Sequence, residues 1–249
     1  MGGRTWGTEA LIAHERECRT VLADLCTELS ARRAAAAANL QRDVERAIHD
    51  LNMGSAEFVV SITQVEDPEG VEWADGDAPA VRIDRTGADR VEFLLAPNAG
   101  EGLKPLARVA SGGETARLML ALKSILADAD QTPTLVFDEV DVGVGGRSGQ
   151  VVGEKVWSLT AGRAPHQVIV ISHLSQIAAF AESHFRIVKA EADGKTVSRV
   201  ERITGDERIE ELAAMLDGEP PSPASRANAR ELLQRVEEWK GGRRPQAVG

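Results

Sequence analysis

Two short apolar runs with a helical pattern between them constrain this chain most. Residues Thr134 to Phe137, which follow Pro133, form one run, and residues 168–171, Val-Ile-Val-Ile, form the other. A helix over about 148–159 separates them. Apolar runs of this length suit buried strands, and parallel neighbours need a long crossover between them, so the order predicts a parallel strand–helix–strand unit. Ligands of such sheets gather at the carboxyl ends of the strands. The first run ends in Asp138 and Glu139, with Asp141 close behind. The second ends in Ser172 and His173, and Ser175 opens a further helix over 176–182. An acid at a strand end can hold Mg²⁺ through water while its neighbour orients or deprotonates an attacking water. A solvated acidic turn and an incidental histidine are the plain alternatives.

The segment Ser111-Gly112-Gly113-Glu114 precedes the first run. Ser-x-x-Glu ahead of an amphipathic run is a capping box, and Leu118, Leu122, Ile125 and Leu126 recur at helical spacing. A helix over about 114–128 follows. Gly112 and Gly113 leave bare N–H groups where that helix begins, which is an anion-binding arrangement. An ordinary capped helix explains the same residues. The phosphate-cradling pattern Gly-x-x-x-x-Gly-Lys-Ser/Thr is absent from the sequence. The residues present are those of half an ATP-cleaving site.

The order Ser-Gly-Gly-Glu, apolar strand-Asp-Glu-x-Asp, apolar strand-Ser-His resembles the C-terminal lobe of an ABC-type, P-loop NTPase-like ATPase head. The wording around the motifs is similar to the bacterial RecN family of DNA-repair ATPases, in residues 103–114, 137–147 and 173–178. The resemblance covers about 40–233. RecN proteins are SMC-like, with a head built from both chain ends and a coiled-coil arm between.

The resemblance implies a set of roles. Ser111, Gly112, Gly113 and Glu114 match the signature loop, which contacts ATP bound by the other subunit. Asp138 matches the Walker B acid for Mg²⁺, and Glu139 the residue that positions or activates water. Asp141 matches the D-loop, which communicates across the dimer, and His173 the switch histidine that senses the terminal phosphate. ATP and Mg²⁺ are the implied cofactors. The implied partners are DNA, a second head in a homo-oligomer, and a Walker A-bearing N-terminal lobe from another chain or a missing segment. The implied place is the cytoplasm, in association with the nucleoid. Without a phosphate loop or Q-loop, the chain alone is expected to be inactive.

Two motif-like stretches are set aside. Gly194-Lys195-Thr196 ends like a phosphate loop, but the glycine required five residues before Gly194 is missing, since Lys189 stands there, followed by Ala190. Alternating flanks around Asp193-Gly194 predict a β-hairpin instead. The glycines of 143–146 fail the dinucleotide fingerprint because position 148 is Ser148. They are expected to let this loop run close to another surface.

Residues from about Thr8 to Leu51 hold no proline and form one helical pattern. Leu11, Cys18 and Leu25, with Leu22, Leu29 and Ala36, fall on a seven-residue repeat that Leu40, Val44, Ile48 and Leu51 continue. Such a stripe needs a partner, either a coiled-coil strand or the chain's own domain. Strand-like runs at 58–62, 81–83 and 91–95 make the next part β-rich, with turns expected at 68–70 and 86–89. Two terminal helices are expected over about 206–216, closed by Gly218, and 225–240, with a loose tail from Gly241. The fold expected is α/β: a mostly parallel sheet with flanking helices, an antiparallel β portion and a long N-terminal coiled-coil-like helix. The division expected is 1–52 for the arm remnant, 53–218 for the lobe, and 219–249 for the C-terminal helix and tail.

A net charge of −10 gives no global basic footprint for DNA. Hydrophobic residues make up 43%, enough for a core, yet no run approaches a membrane span. Cys18 and Cys26 lie in no metal or redox pattern, which suits a reducing compartment. Two other readings stay open: a non-catalytic half-head that pairs with a full ATPase, and an ABC transport cassette. The long helix where a cassette would carry its phosphate loop disfavours the latter.

Overall fold

The computed structural model describes residues 7–72, 79–109, 112–127, 132–162, 165–192 and 195–243. The chain divides into two compact units, residues 1–45 with 57–109, and residues 46–56 with 110–249.

The long helix α1 spans Thr8–Asp50, 43 residues, or roughly 65 Å at 1.5 Å per residue. Its two sides behave differently. Leu11, Leu22, Leu25 and Leu29 of the expected stripe are exposed, whereas Val44, Ile48 and Leu51, which continue it, are buried. Ala23 and Cys26 are buried, and Cys26 packs with Val81 and Ala88. In its first half the helix therefore folds onto its own unit through Ala23 and Cys26, and leaves Leu11 to Leu29 of the stripe uncovered.

That unit holds the antiparallel sheet β1 (Glu57–Gln64), β3 (Asp89–Ala96) and β4 (Lys104–Pro105), in the order β1-β3-β4. Phe58 and Leu95 lie opposite each other and are fully buried, and Phe93 stacks obliquely on Phe58 at 5.6 Å. The turn expected at 68–70 is instead extended, within β2 (Glu66–Val71). Gly70 crosses the Val81 carbonyl so closely that a Cβ would lie 2.5 Å from its carbon, and this approach needs extended backbone. Only Val81 of the expected 81–83 strand makes a bridge. The turn near 86–89 is present: Thr86 N–H donates to Asp84 Oδ1 at 2.7 Å, and Gly87 has φ +100°.

The second unit carries the strand–helix–strand expected. Strands β5 (Thr134–Phe137) and β6 (Gln167–Val170) pair in parallel, and α3 (Gly146–Ala161) connects them. They are not buried on both faces. Leu135 and Phe137 are inside, whereas Val136 is 62% and Ile169 47% exposed. Helix α2 (Gly112–Leu126) buries Leu118, Leu120, Ala121 and Leu122. Gly149 and Gly153 of α3 let α4 (Ser175–Ala178) and its flank approach, since a Cβ on Gly153 would meet Phe180 Cε2 at 2.8 Å.

Helix α4 is only four residues long, against the seven expected. Arg208 Nη2 donates to the carbonyls of Ala179 at 2.9 Å and Ala181 at 2.8 Å, so these oxygens are satisfied from outside a helix. The hairpin β7 (His184–Ala192) and β8 (Lys195–Ile203) is antiparallel as expected, and its turn at Asp193-Gly194 lies outside the described residues. Helices α5 (Gly205–Asp217) and α6 (Pro223–Gly241) close the chain. Gly218 ends α5 with φ +89°, donating to Ala214 at 2.7 Å. Helix α6 starts two residues before the expected position because Ser222 caps it and Pro223 fits the first turn. Trp239 of α6 packs edge-on against Trp157 and Phe180. Residues 244–249 of the expected tail, like Met1 to Trp6, lie outside the described residues.

Asp89 anchors α1 to the sheet of the first unit. Its buried carboxylate accepts from Ser30 Oγ at 2.7 Å, Gln64 Nε2 at 3.2 Å and Arg33 Nη1 at 3.1 Å. Burial would raise its pKa, but the bonds from Ser30, Gln64 and Arg33 outweigh it and hold the pKa below the ordinary value. A depressed folded pKa contributes stability that is full above the unfolded pKa near 4 and is lost as pH falls through the folded value. Asp89→Ala is expected to destabilise the fold by about 2–3 kcal/mol at pH 7. In urea titrations, the stability gap between the parent and Asp89→Asn should shrink between pH 7 and pH 3. A gap independent of pH contradicts this account of Asp89.

Candidate functional site

The site residues meet around one turn at the end of β5. Asp138 is exposed at the strand's carboxyl end, and its Oδ1 accepts the Glu139 N–H at 3.0 Å. Glu139 is exposed and has φ +58°, a left-handed conformation that disfavours a side chain by roughly 1–2 kcal/mol. The turn closes through Val142 N–H to Glu139 O at 3.2 Å and Val144 N–H to Asp141 O at 3.0 Å.

Asp141 points inward and is 8% exposed. Its Oδ2 accepts the Ser172 hydroxyl at 2.7 Å and the His173 N–H at 2.6 Å. Ser172 Oγ in turn accepts the Leu174 N–H at 3.0 Å. The backbone of His173 is thereby tied to the turn, while its side chain remains exposed. Strand pairing brings these groups together, since Phe137 lies opposite Val170 and the Ile171 N–H donates to Phe137 O at 3.0 Å.

The N-terminus of α2 packs on the same turn. A Cβ on Gly113 would stand 2.8 Å from Val142 Cβ and 3.0 Å from its carbonyl oxygen. A Cβ on Gly112 would collide with the Glu139 carboxylate. The two glycines therefore serve a close approach within the chain, whatever else their N–H groups bind. The sixth residue of α2, Arg117, is buried, and its Nη1 donates to the Val142 carbonyl. Burial pulls its pKa below the ordinary arginine value, opposed by the nearby Glu114. Its Nε is buried without a partner among the described residues.

Ser111 lies outside the described residues, and so does its capping bond to Glu114. Gly112, Gly113, Asp138, Glu139, Asp141 and His173 are brought to one end of the parallel pair. Within the chain, Gly143 and Gly145 approach no other surface closely. A Cβ on Gly143 or Gly145 meets nothing within 4 Å, and Gly143 instead supplies φ +75°. The sequence alone does not mark Arg117, or the hydroxyl of Ser172, as part of the site. Ser172 was legible as the residue before His173, but its hydroxyl's partner lies 31 positions away. Among the described residues, no group of three or more His, Cys, Asp or Glu could hold a metal ion by itself.

No family model matches the sequence. Curated relatives do. The DNA repair protein RecN of Streptomyces coelicolor is 40% identical over 216 residues, which is 87% of this chain and 37% of that protein. The DNA repair protein RecN of Mycobacterium leprae is 42% identical over 222 residues, again 87% and 37%. That of Treponema pallidum is 39% identical over 206 residues, 83% of this chain and 34% of its own. The chain thus spans between 34% and 37% of the length of these relatives. Among solved structures, the Smc head domain with a coiled coil and joint from Pyrococcus yayanosii covers 84% of this chain and 35% of its own, at 19% identity and a TM-score of 0.49. The SMC head domain from Thermotoga maritima covers 70% and 51%, at 19% identity and a TM-score of 0.34.

The glycine contacts lead to a direct test. Gly113→Ala forces a methyl into Val142 and is expected to cost about 1–3 kcal/mol of stability. Gly146→Ala, whose Cβ would meet only Gln176 Nε2 at 3.6 Å, should be neutral or stabilise by up to about 1 kcal/mol. Denaturant unfolding of both variants decides it, and equal effects would remove the packing account.

Proposed function

The chain belongs to the RecN family, matching the C-terminal part of its members, and from that premise we propose that it supplies the signature-bearing portion of an SMC-like, ABC-type ATPase head acting in double-strand-break repair. The observation that carries the reading is the convergence at the end of β5. The acids Asp138 and Glu139 stand on the turn against which Gly112 and Gly113 pack, and the His173 backbone is bonded to Asp141 of the same turn. Nucleotide chemistry at a strand's carboxyl end needs these groups side by side.

In this reading the isolated chain holds part of a composite site. Asp138, exposed at the strand end, is the one carboxylate expected to ligate Mg²⁺. Mg²⁺ keeps several waters and takes phosphate oxygens, so a single exposed acid fits it better than a closed cluster. When bound, it neutralises charge on the β- and γ-phosphates. Glu139, with its carboxylate exposed beside Asp138, orients or deprotonates the attacking water. His173, exposed just beyond β6 at the same end of the sheet pair, senses the terminal phosphate. Ser111, Gly112, Gly113 and Glu114 contact ATP held by a second head. The phosphate loop comes from a lobe that this sequence does not include.

We assign residues 1–52 to the remnant of a coiled-coil arm, 53–218 to the lobe and 219–249 to the C-terminal helix and tail. The exposed N-terminal part of the stripe, Leu11, Leu22, Leu25 and Leu29, supports the first assignment. DNA is the proposed ligand of the assembly, through local contacts given the net charge of −10. No helix of the described residues is long and apolar enough to cross a membrane, and cytoplasmic action at the nucleoid is proposed.

The test uses a head completed with a phosphate-binding lobe. Glu139→Gln should bind ATP normally, hydrolyse it ~10²-fold more slowly or worse, and hold ATP-bound dimers. Ser111→Arg should abolish ATP-dependent dimerisation, and mixing it with a head whose phosphate loop is disabled should restore part of the activity. Parental turnover by Glu139→Gln would leave Glu139 only a structural role.

A further inference from the structure

We propose that Asp141 and Ser172 are positioning residues for His173, acting wholly within one chain. The proposal rests on the phosphate-facing reading of His173 given above. The resemblance assigns Asp141 to communication between subunits, yet its carboxylate is turned into its own fold, 8% exposed. One oxygen, Oδ2, accepts both the Ser172 hydroxyl and the His173 N–H, at 2.7 and 2.6 Å. Hydrogen bonds to an ionised acceptor are among the stronger ones in proteins. Ser172 uses its hydroxyl twice, as donor to Asp141 and as acceptor of the Leu174 N–H at 3.0 Å. That double use needs a hydroxyl, which both gives and takes.

The placement explains the need. The parallel ladder ends at Phe137 and Val170, with one last bond from the Ile171 N–H to Phe137 O. Beyond it the two strands part, one into the turn and the other toward α4. Without a strut, the residue after Ser172 would have no backbone bond to β5. Asp141 supplies it where the ladder stops. The far end of the segment is also held, by Arg208 on the carbonyls of Ala179 and Ala181. The His173 side chain makes no part of this strut and stays exposed. The strut fixes where the imidazole starts from, and the ring is left for the substrate.

The conservative variant separates positioning from charge. Asp141→Asn keeps a carbonyl oxygen that can accept both bonds, whereas Asp141→Ala cannot accept either. Amide hydrogen exchange on the full 249-residue chain reads the strut without any nucleotide. Asp141→Ala and Ser172→Ala should speed exchange at His173 and Leu174 by about tenfold or more, with amides of Leu122 and Val152 unchanged. In the completed head, Asp141→Ala should lower kcat about tenfold or more with KM for ATP changed less than about twofold, while Asp141→Asn stays within about threefold of the parent. Unchanged exchange at His173 in Asp141→Ala overturns the proposal. So does an Asp141→Asn head as slow as Asp141→Ala, which would place the role in the charge. A His173→Ala head with full turnover sinks the reading of His173 itself, whatever the exchange data show.

Discussion

The hydrogen bonds from the segment after β6 to the buried Asp141 carboxylate are the contacts on which the site's geometry depends. Asp141 sits in the middle of a turn whose first residue points Glu139 to solvent and whose later residues face α2. The turn has to satisfy all three neighbours at once. Glu139 takes the left-handed conformation in consequence, at φ +58°. Such strain persists only where the surroundings over-determine it. Here they do, through two backbone bonds inside the turn, the Arg117 guanidinium on Val142 O, and Gly113 packed against Val142.

Helix packing carries that local geometry into the second unit. Helix α2 is anchored by Leu118, Leu120 and Leu122, all buried, so Arg117 is presented to the turn from a fixed support. Helix α3 offers Gly149 and Gly153, four residues apart on one face, to Leu174 and Phe180. Phe180 joins Trp157 and Trp239 in an aromatic cluster that draws α6 into the same core. The segment carrying His173 is thus set between the Asp141 strut and an aromatic core.

Much of this was legible as local pattern. The bounds of β5 follow from Pro133 and the acids after Phe137, and the end of α5 from Gly218. The heptad stripe of α1 was visible, and the exposure of Leu11, Leu22, Leu25 and Leu29 agrees with a face that needs a partner, whereas the burial of Val44, Ile48 and Leu51 shows that the chain itself covers the stripe's end. What was not legible depends on contacts distant in sequence. Helix α4 stops after four residues, and the carbonyls of Ala179 and Ala181 beyond it accept from Arg208, some thirty positions on. The extended backbone at 68–70 is set by the approach of Val81 to Gly70, which overrides a proline-glycine turn signal. Arg117 read as an ordinary helix residue, because nothing nearby reveals that it is buried on Val142 O. The open face of β5 and β6 was missed because an apolar run gives no sign of which side is covered.

We propose that this chain carries half of an ATP site and lacks the half that grips the phosphates. Phosphate-loop backbone donors and their lysine supply most of that grip. Titration calorimetry with Mg·ATP on the 249-residue chain tests the claim most directly. Nothing tighter than about millimolar, roughly −4 kcal/mol, is expected for the chain alone. A micromolar dissociation constant would contradict the account, because the residues described here would then hold the nucleotide by themselves.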